Sequence, residues 1–232
     1  MDHLGALGRE ASAFYGAAAT HLHLAVRSCP HWDVGDLVYH VGRVHQFWGL
    51  VAEGVEDAEA ARAIEAAQPP SAADLVPWAE HQTDRLLGVL QRLDPEAKRW
   101  NWSPAPDVGA WIPRRMAHET AVHRWDLQDA IGEADPIDAD LAADGVDEYL
   151  RVFVPADDGY EGPEGVLRLE AADAGVAWTV RLGPPHPTVV DDGEDAQEVL
   201  RLGASDLLLG LWGRVEVEGE LVQALIEHTD RE

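Results

Sequence analysis

The stretch Trp111-Ile-Pro-Arg-Arg-Met-Ala-His-Glu-Thr-Ala-Val-His-Arg-Trp-Asp126 decides how this chain is read. It predicts a helix, with Pro113 able to take the first helical position and Gly132 placed to end it. Glu119 and His123 stand four residues apart, so they project from one face, one turn above the other. A carboxylate and an imidazole stacked in this way can share one metal ion. His118-Glu119 followed by His123 imitates the zinc-protease pattern H-E-x-x-H without matching it. Its two histidines are five residues apart and point roughly 140° away from each other. Any further ligands must come from another part of the chain.

The chain has 232 residues and a hydrophobic fraction of 46%, enough for one large domain or two modest ones with a proper core. It has no apolar run long enough to cross a bilayer. The first twenty residues carry Asp2, His3 and Glu10 in place of a basic segment followed by an apolar one, which argues against a secretory signal and leaves the cytoplasm as the expected location. Cys29 is the only cysteine, so no internal disulfide or cysteine cage is available. Beside Pro30 it could be a nucleophile, but a buried or incidental thiol is the better reading. The net charge of −26 is uneven: residues 1–132 hold 18 acids and 11 bases, net −7, and residues 133–232 hold 25 and 6, net −19. Such acidity repels nucleic acid and anionic membrane and excludes both as expected partners.

Residues 4–27 carry apolar side chains at helical spacing and predict a first helix, with His21 and His23 near its end as capping or solvent-facing groups. Asp33, with Asp36 three residues later, predicts a capped start to a second helix. Leu37, Val41, Val44, Trp48 and Val51 form its inward stripe, with His40 on the edge and His45 off it by one residue. Residues 54–70 read as a surface connection, and Asp74 to Leu93 as a third helix. The loop Trp100-Asn-Trp-Ser-Pro-Ala-Pro-Asp107 could wall an apolar pocket or close over a small core. With the opening helix, these elements predict a four-helix bundle, an architecture that builds metal sites from inward side chains on facing helices. Past Gly132, Asp138–Val154 predicts a connecting helix. Gly165–Ala171 and Val176–Leu182 alternate as a β-hairpin, and Gln197–Leu202 is a candidate third strand. Ala204–Arg214 and Glu220–His228 predict two helices. The expected fold class is therefore α+β: a bundle domain with its connecting helix over 1–155, then a small domain over 156–232 with an antiparallel sheet and two helices.

There is no Gly-rich phosphate loop and no nucleophile elbow. The residues alone favour a two-histidine, one-carboxylate metal site from His40, Glu119 and His123, with a bundle of satisfied core polar groups as the competing reading.

Three blocks in order, Trp32-Asp-Val-Gly-Asp-Leu-Val-Tyr-His-Val-Gly42, Arg114-Arg-Met-Ala-His-Glu-Thr-Ala-Val-His-Arg-Trp-Asp126 and Ala204-Ser-Asp-Leu-Leu-Leu-Gly-Leu-Trp-Gly-Arg214, resemble the mycothiol-dependent maleylpyruvate isomerase family over nearly the whole chain. The resemblance implies a DinB-like metal-binding four-helix bundle followed by a small α+β domain. It implies a divalent metal, zinc foremost, held by His40, Glu119 and His123, and Arg214 as the catalytic arginine. It also implies mycothiol as thiol cosubstrate, a thiol activated on the metal, and either isomerisation or S-transfer to a small electrophile. Arg214, Arg43 or Arg115 could orient a substrate carboxylate, although Arg43 and Arg115 read better as surface salt bridges. Trp48, Trp100, Trp102 and Trp111 are the expected pocket walls. The alternatives are a metal-dependent hydrolase that uses hydroxide in place of a thiol, and a non-enzymatic metal-binding or stress-related protein.

Overall fold

The computed structural model describes residues 1–67, 70–156, 158–190 and 194–229. They form two compact units, one of residues 1–102 and 106–135, the other of 103–105 and 136–232.

The first unit is the helical one. Helix α1 spans His3–Ala18, opened by the Asp2 side chain accepting the Gly5 N–H. It is shorter than the sequence pattern suggested: beyond Ala18 the chain runs through consecutive turns to Asp33. Helix α2, Val34–Ala52, begins with the expected capping box, in which the Asp33 side chain accepts the Asp36 N–H and the Asp36 side chain accepts the Asp33 N–H. Two helical orphan donors are thereby satisfied. Helix α3, Asp57–Glu65, occupies the stretch expected to be a plain connection. Its Ala- and Glu-rich composition favours a helix, and Ala60 and Ile64 give it a narrow apolar face. Part of that stretch, residues 68 and 69, lies outside the described residues. Helix α4 is Leu75–Leu90 and α5 is Trp111–Ile131. Pro113 is the third residue of α5, not the first. The position remains within the first turn, where a missing N–H costs no helical hydrogen bond. Gly132, at φ 77°, ends α5 in the left-handed conformation that a glycine adopts without strain.

Helix α2 packs on α4, and α1 on α5. Phe14, Leu37, Val41 and Leu127 are fully buried between them. The α2 stripe is rotated slightly from the expected one. His45 points inward and is fully buried, while Val44 is only partly covered. Its ring is satisfied on both sides, Nδ1 lying 2.7 Å from Thr83 Oγ1 and Nε2 3.0 Å from Thr120 Oγ1. Tyr15 extends this network to Thr83 at 2.8 Å. A buried imidazole with both nitrogens engaged is a core group, and burial lowers the His45 pKa to about 4.

The second unit begins with helix α6, Ala139–Glu148, capped by Asp138, which widens into a π turn over Tyr149–Phe153. This helix, expected to close the first domain, packs on α7 of the second unit. Strands β1 (Gly165–Ala171) and β2 (Val176–Leu182) form the hairpin the alternation indicated, with Leu169 opposite Trp178 and Leu167 opposite Val180. Gly175 makes the turn at φ 66°. A short β3, Thr188–Val190, joins β2. Strand β4, Glu198–Leu202, pairs with β1 in parallel, giving the order β3-β2-β1-β4. The sheet is thus four-stranded and mixed, not purely antiparallel. Helices α7 (Ala204–Leu211) and α8 (Glu220–His228) both pack against β1. The α+β class holds. No helix among the described residues is long and apolar enough to cross a membrane.

Candidate metal centre

Helices α2 and α5 bring His40, Glu119 and His123 together in the first unit. The Nε2 atoms of His40 and His123 lie 3.2 and 3.3 Å from the same carboxylate oxygen, Glu119 Oε1. The two rings meet edge to face with centroids 4.9 Å apart. The ligand atoms of all three residues lie within 4.8 Å of one another. A tetrahedral ion with bonds of about 2.0–2.1 Å has ligand-to-ligand edges of about 3.3–3.4 Å, so the trio has the chemistry and the spacing to hold a divalent ion.

The surroundings orient these groups. Asp126, fully buried and one turn beyond His123, has Oδ2 2.9 Å from His123 Nδ1. The Ser28 hydroxyl donates to the other Asp126 oxygen at 2.6 Å. A carboxylate on the far ring nitrogen leaves Nε2 as the nitrogen facing the site. Arg115 donates to Glu119 Oε2 at 2.5 Å. It is buried, not the surface salt bridge expected from its charge, because it sits one turn before Glu119 on the inward face of α5. Asp126 and Ser28 were not singled out in the sequence. The available signal was an aspartate three residues after a candidate histidine ligand, a spacing that returns to the same helix face. Cys29 is half-buried, and its sulfur lies within 4.8 Å of ligand atoms on His123 and Asp126. His118 is buried against the His3 ring, 6.0 Å between centroids, and stands outside the trio.

The charges are mutually set. Burial by itself would raise the Glu119 pKa. Hydrogen bonds from His123 and His40 and the positive charges of His123 and Arg115 outweigh it, so Glu119 is held well below the usual carboxylate range. Burial would likewise lower the His123 pKa, but the hydrogen bonds to Asp126 and Glu119 and their charges raise it to about 9. Without a metal, His123 is therefore an imidazolium held between two carboxylates.

A cavity of about 480 Å³ opens beside His40, bounded by α2 and α3. Trp48 lines it as expected. Behind it Trp48 stacks on Trp100 at 5.9 Å and leans on Trp111 at 4.9 Å, and Trp102 meets the edge of Trp111. Trp100, Trp102 and Trp111 thus extend the wall without lining this cavity. Arg214 belongs to the second unit, just beyond α7. Its N–H donates to the Leu209 carbonyl at 2.8 Å and its guanidinium to the Trp212 carbonyl at 2.8 Å.

A helical unit carrying a potential two-histidine, one-carboxylate centre, followed by a small α+β unit, defines the class of protein. The family model described as the mycothiol maleylpyruvate isomerase N-terminal domain matches residues 4–128, and the chain belongs to this family. Among solved structures, the crystal structure of the mycothiol-dependent maleylpyruvate isomerase matches with a TM-score of 0.59 at 14% identity, covering 92% of this chain and 88% of that one. At that identity the likeness is one of fold. A search of curated proteins found no match.

Proposed function

We propose that the protein is a metal-dependent, mycothiol-dependent enzyme that carries out isomerisation or S-transfer on a small electrophile. His40, Glu119 and His123 hold a divalent ion, zinc foremost, in this reading. The observation that carries it is the convergence of two imidazole Nε2 atoms on one carboxylate oxygen, Glu119 Oε1, in a member of this family. Three protein ligands leave room for a further one, the mark of a catalytic site. When bound, the ion would supply Lewis acidity, which lowers the pKa of a thiol at the site.

The chain's own residues do the rest. Asp126 fixes the His123 ring by accepting a hydrogen bond from its Nδ1–H. Arg115 neutralises the outer oxygen of Glu119, keeping that carboxylate ionised in a largely dry setting. Arg214 is the catalytic arginine by its place in the Trp-Gly-Arg block, where a guanidinium suits an anionic substrate group.

The test is metal analysis of protein purified without added ions, followed by a thiol-consumption assay with mycothiol over maleylpyruvate and simple electrophiles. One divalent ion per chain and turnover that requires the thiol support the reading. Full metal content in His123→Ala, or turnover that ignores the thiol, overturns it. Arg214→Met should leave metal content unchanged while turnover falls about tenfold or more, the loss expected for one charge-assisted contact of roughly 1.5–3 kcal/mol.

A further inference from the structure

We infer that Cys29, His123 and Asp126 form a second metal site, on the side of the His123 ring away from Glu119, and that it binds a thiophilic divalent ion in place of the ion at the trio. The Cys29 sulfur, a His123 ring nitrogen and an Asp126 carboxylate oxygen all lie within 4.8 Å of one another. On that side the ring presents Nδ1, 2.9 Å from Asp126 Oδ2. Its Nε2 lies 3.3 Å from Glu119 Oε1 on the opposite side. A tetrahedral ion of zinc's size has nitrogen-to-oxygen edges of about 3.4 Å and edges to sulfur of about 3.6 Å. An ion therefore fits between the three groups with a small shift of the carboxylate away from the ring.

The sulfur is delivered by a closed loop. Residues 25–33 turn back on themselves through an Ala25–Asp33 bridge, with the Val26 N–H donating to the Trp32 carbonyl at 3.0 Å and the Trp32 N–H to the Cys29 carbonyl at 3.0 Å. His31 makes the return at φ 75°, a left-handed conformation uncommon outside glycine. The loop is fastened to α5 around the site. The Ser28 hydroxyl donates to Asp126 Oδ1 at 2.6 Å, and Arg27 pairs with Asp129 at 3.5 Å. Asp126 is fully buried, whereas Cys29 is half-buried, so the loop leaves this side of the group partly open to solvent. A carboxylate on the far nitrogen of a ligating histidine is an ordinary orienting group. The chain's one cysteine beside it adds a soft ligand and completes a sulfur, nitrogen and oxygen set, which selects soft ions.

The two sites share one ring, and a neutral imidazole offers a single lone pair. With an ion at the trio, Nε2 ligates and Nδ1–H donates to Asp126. With an ion beside Cys29, Nδ1 ligates and Nε2–H donates to Glu119. The thiol proton leaves to solvent in the second case, and the thiolate and the Asp126 carboxylate balance the two charges of the ion. The sites therefore exclude each other, and a thiophilic ion draws His123 away from the trio. That exclusion rests on the metal reading above; binding beside Cys29 does not.

The experiment titrates Cd²⁺ into the metal-free full chain and follows the sulfur-to-cadmium charge-transfer absorption. The band should saturate at about one ion per chain and vanish in Cys29→Ser. Asp126→Ala should weaken it about tenfold or more. His40→Ala, which removes a ligand from the trio alone, should leave the affinity within about threefold of the parent. Unchanged circular dichroism shows that each variant folds. Adding Cd²⁺ to protein carrying Co²⁺ should raise the sulfur band as the cobalt d–d absorption is lost, one ion for one. Absence of a sulfur band at every Cd²⁺ concentration, saturation at one ion per two chains, or loss of the band in His40→Ala overturns the site. A full sulfur band with the cobalt absorption retained overturns the exclusion. A chain that takes up no Co²⁺ sinks the metal reading above, and the Cd²⁺ titration still decides the Cys29 site. Failure of the Cys29 site leaves metal content and thiol dependence to their own test.

Discussion

His123 Nδ1 sits 2.9 Å from Asp126 Oδ2, and the two residues are three apart on the same helix. Asp126 in turn is held by Ser28 from outside that helix. This relay fixes one ring nitrogen and leaves the other for the site. Asp126→Asn keeps the shape but loses the charge and can present the wrong hydrogen-bonding group to Nδ1. The expected outcome is a metal affinity about 10–100-fold weaker, with full occupancy recovered at saturating metal. Competition against a chelator of known affinity measures it. An unchanged affinity would show that Asp126 does not orient His123.

Metal uptake should depend on pH through His123. Its pKa is raised to about 9 in the metal-free protein, where burial opposes the charge but Asp126 and Glu119 stabilise it. The raised value means that the imidazolium stabilises the metal-free fold fully below the ordinary histidine pKa near 6.5, and that this contribution is lost as pH rises through 9. A metal ion must displace that proton. Apparent affinity should therefore rise about tenfold per pH unit up to about pH 9 and then level off. Calorimetry in buffers of different ionisation enthalpy should detect about one proton released per ion at pH 7.5.

The helical spacing of Glu119 and His123 made two of the trio legible, because four residues on a helix fix a shared face. His40 required a second helix, and the capping residues Asp33 and Asp36 marked the start of that helix correctly. The exchange of Val44 for His45 in the core was not legible. The apolar stripe fixes a face to within one residue, and the hydroxyls of Thr83 and Thr120 that make room for a buried imidazole come from distant segments. In the second unit, alternation identified the β1–β2 hairpin but not the direction of β4. Which faces a strand buries follows from its pattern, whereas its partner depends on the path the chain takes. The three-residue β3 is too short for alternation to register. Arg115 was misread for a related reason: charge alone suggests surface, and only the carboxylate beside it accounts for its burial.

Acid stability should carry the signature of His45. Burial is the main cause of its lowered pKa of about 4, and the charges of His40 and His123 lower it further against the opposing pull of Glu119. A depressed value means that the neutral ring supports the fold fully above about pH 6.5. The support is lost as pH falls from there through 4, because the unfolded chain takes up the proton first. The ceiling of the loss is about 3 kcal/mol. Urea unfolding between pH 7 and 4 should show a smaller decline in His45→Gln than in the parent chain, although that variant starts from lower stability. Parallel declines would mean that His45 does not titrate in this window.

Gly42 tests how closely α2 and α4 must approach. A Cβ at this position would run into the indole ring of Trp78 and meet the Ala79 Cβ at 3.0 Å. Trp78 has limited room to retreat, since its ring leans on that of Tyr39 with centroids 5.5 Å apart, and Ala79 is fully buried on the facing helix. Glycine inside a helix ordinarily costs about 0.5–1 kcal/mol relative to alanine, so Gly42→Ala would stabilise an isolated α2. Here the collision outweighs propensity, and forcing the helices apart should cost about 1–3 kcal/mol. Gly8 is the internal control, because it too lies in a helix but has nothing within 4 Å of its would-be Cβ. Gly8→Ala should leave stability unchanged or raise it. Thermal unfolding of the two variants should therefore move the midpoint in opposite directions. A Gly42→Ala protein as stable as the Gly8→Ala one would show that the α2–α4 contact yields without cost. Because His40 lies two residues before Gly42 on α2, the same displacement should weaken metal binding at the proposed ligand His40, whereas Gly8→Ala leaves it unchanged.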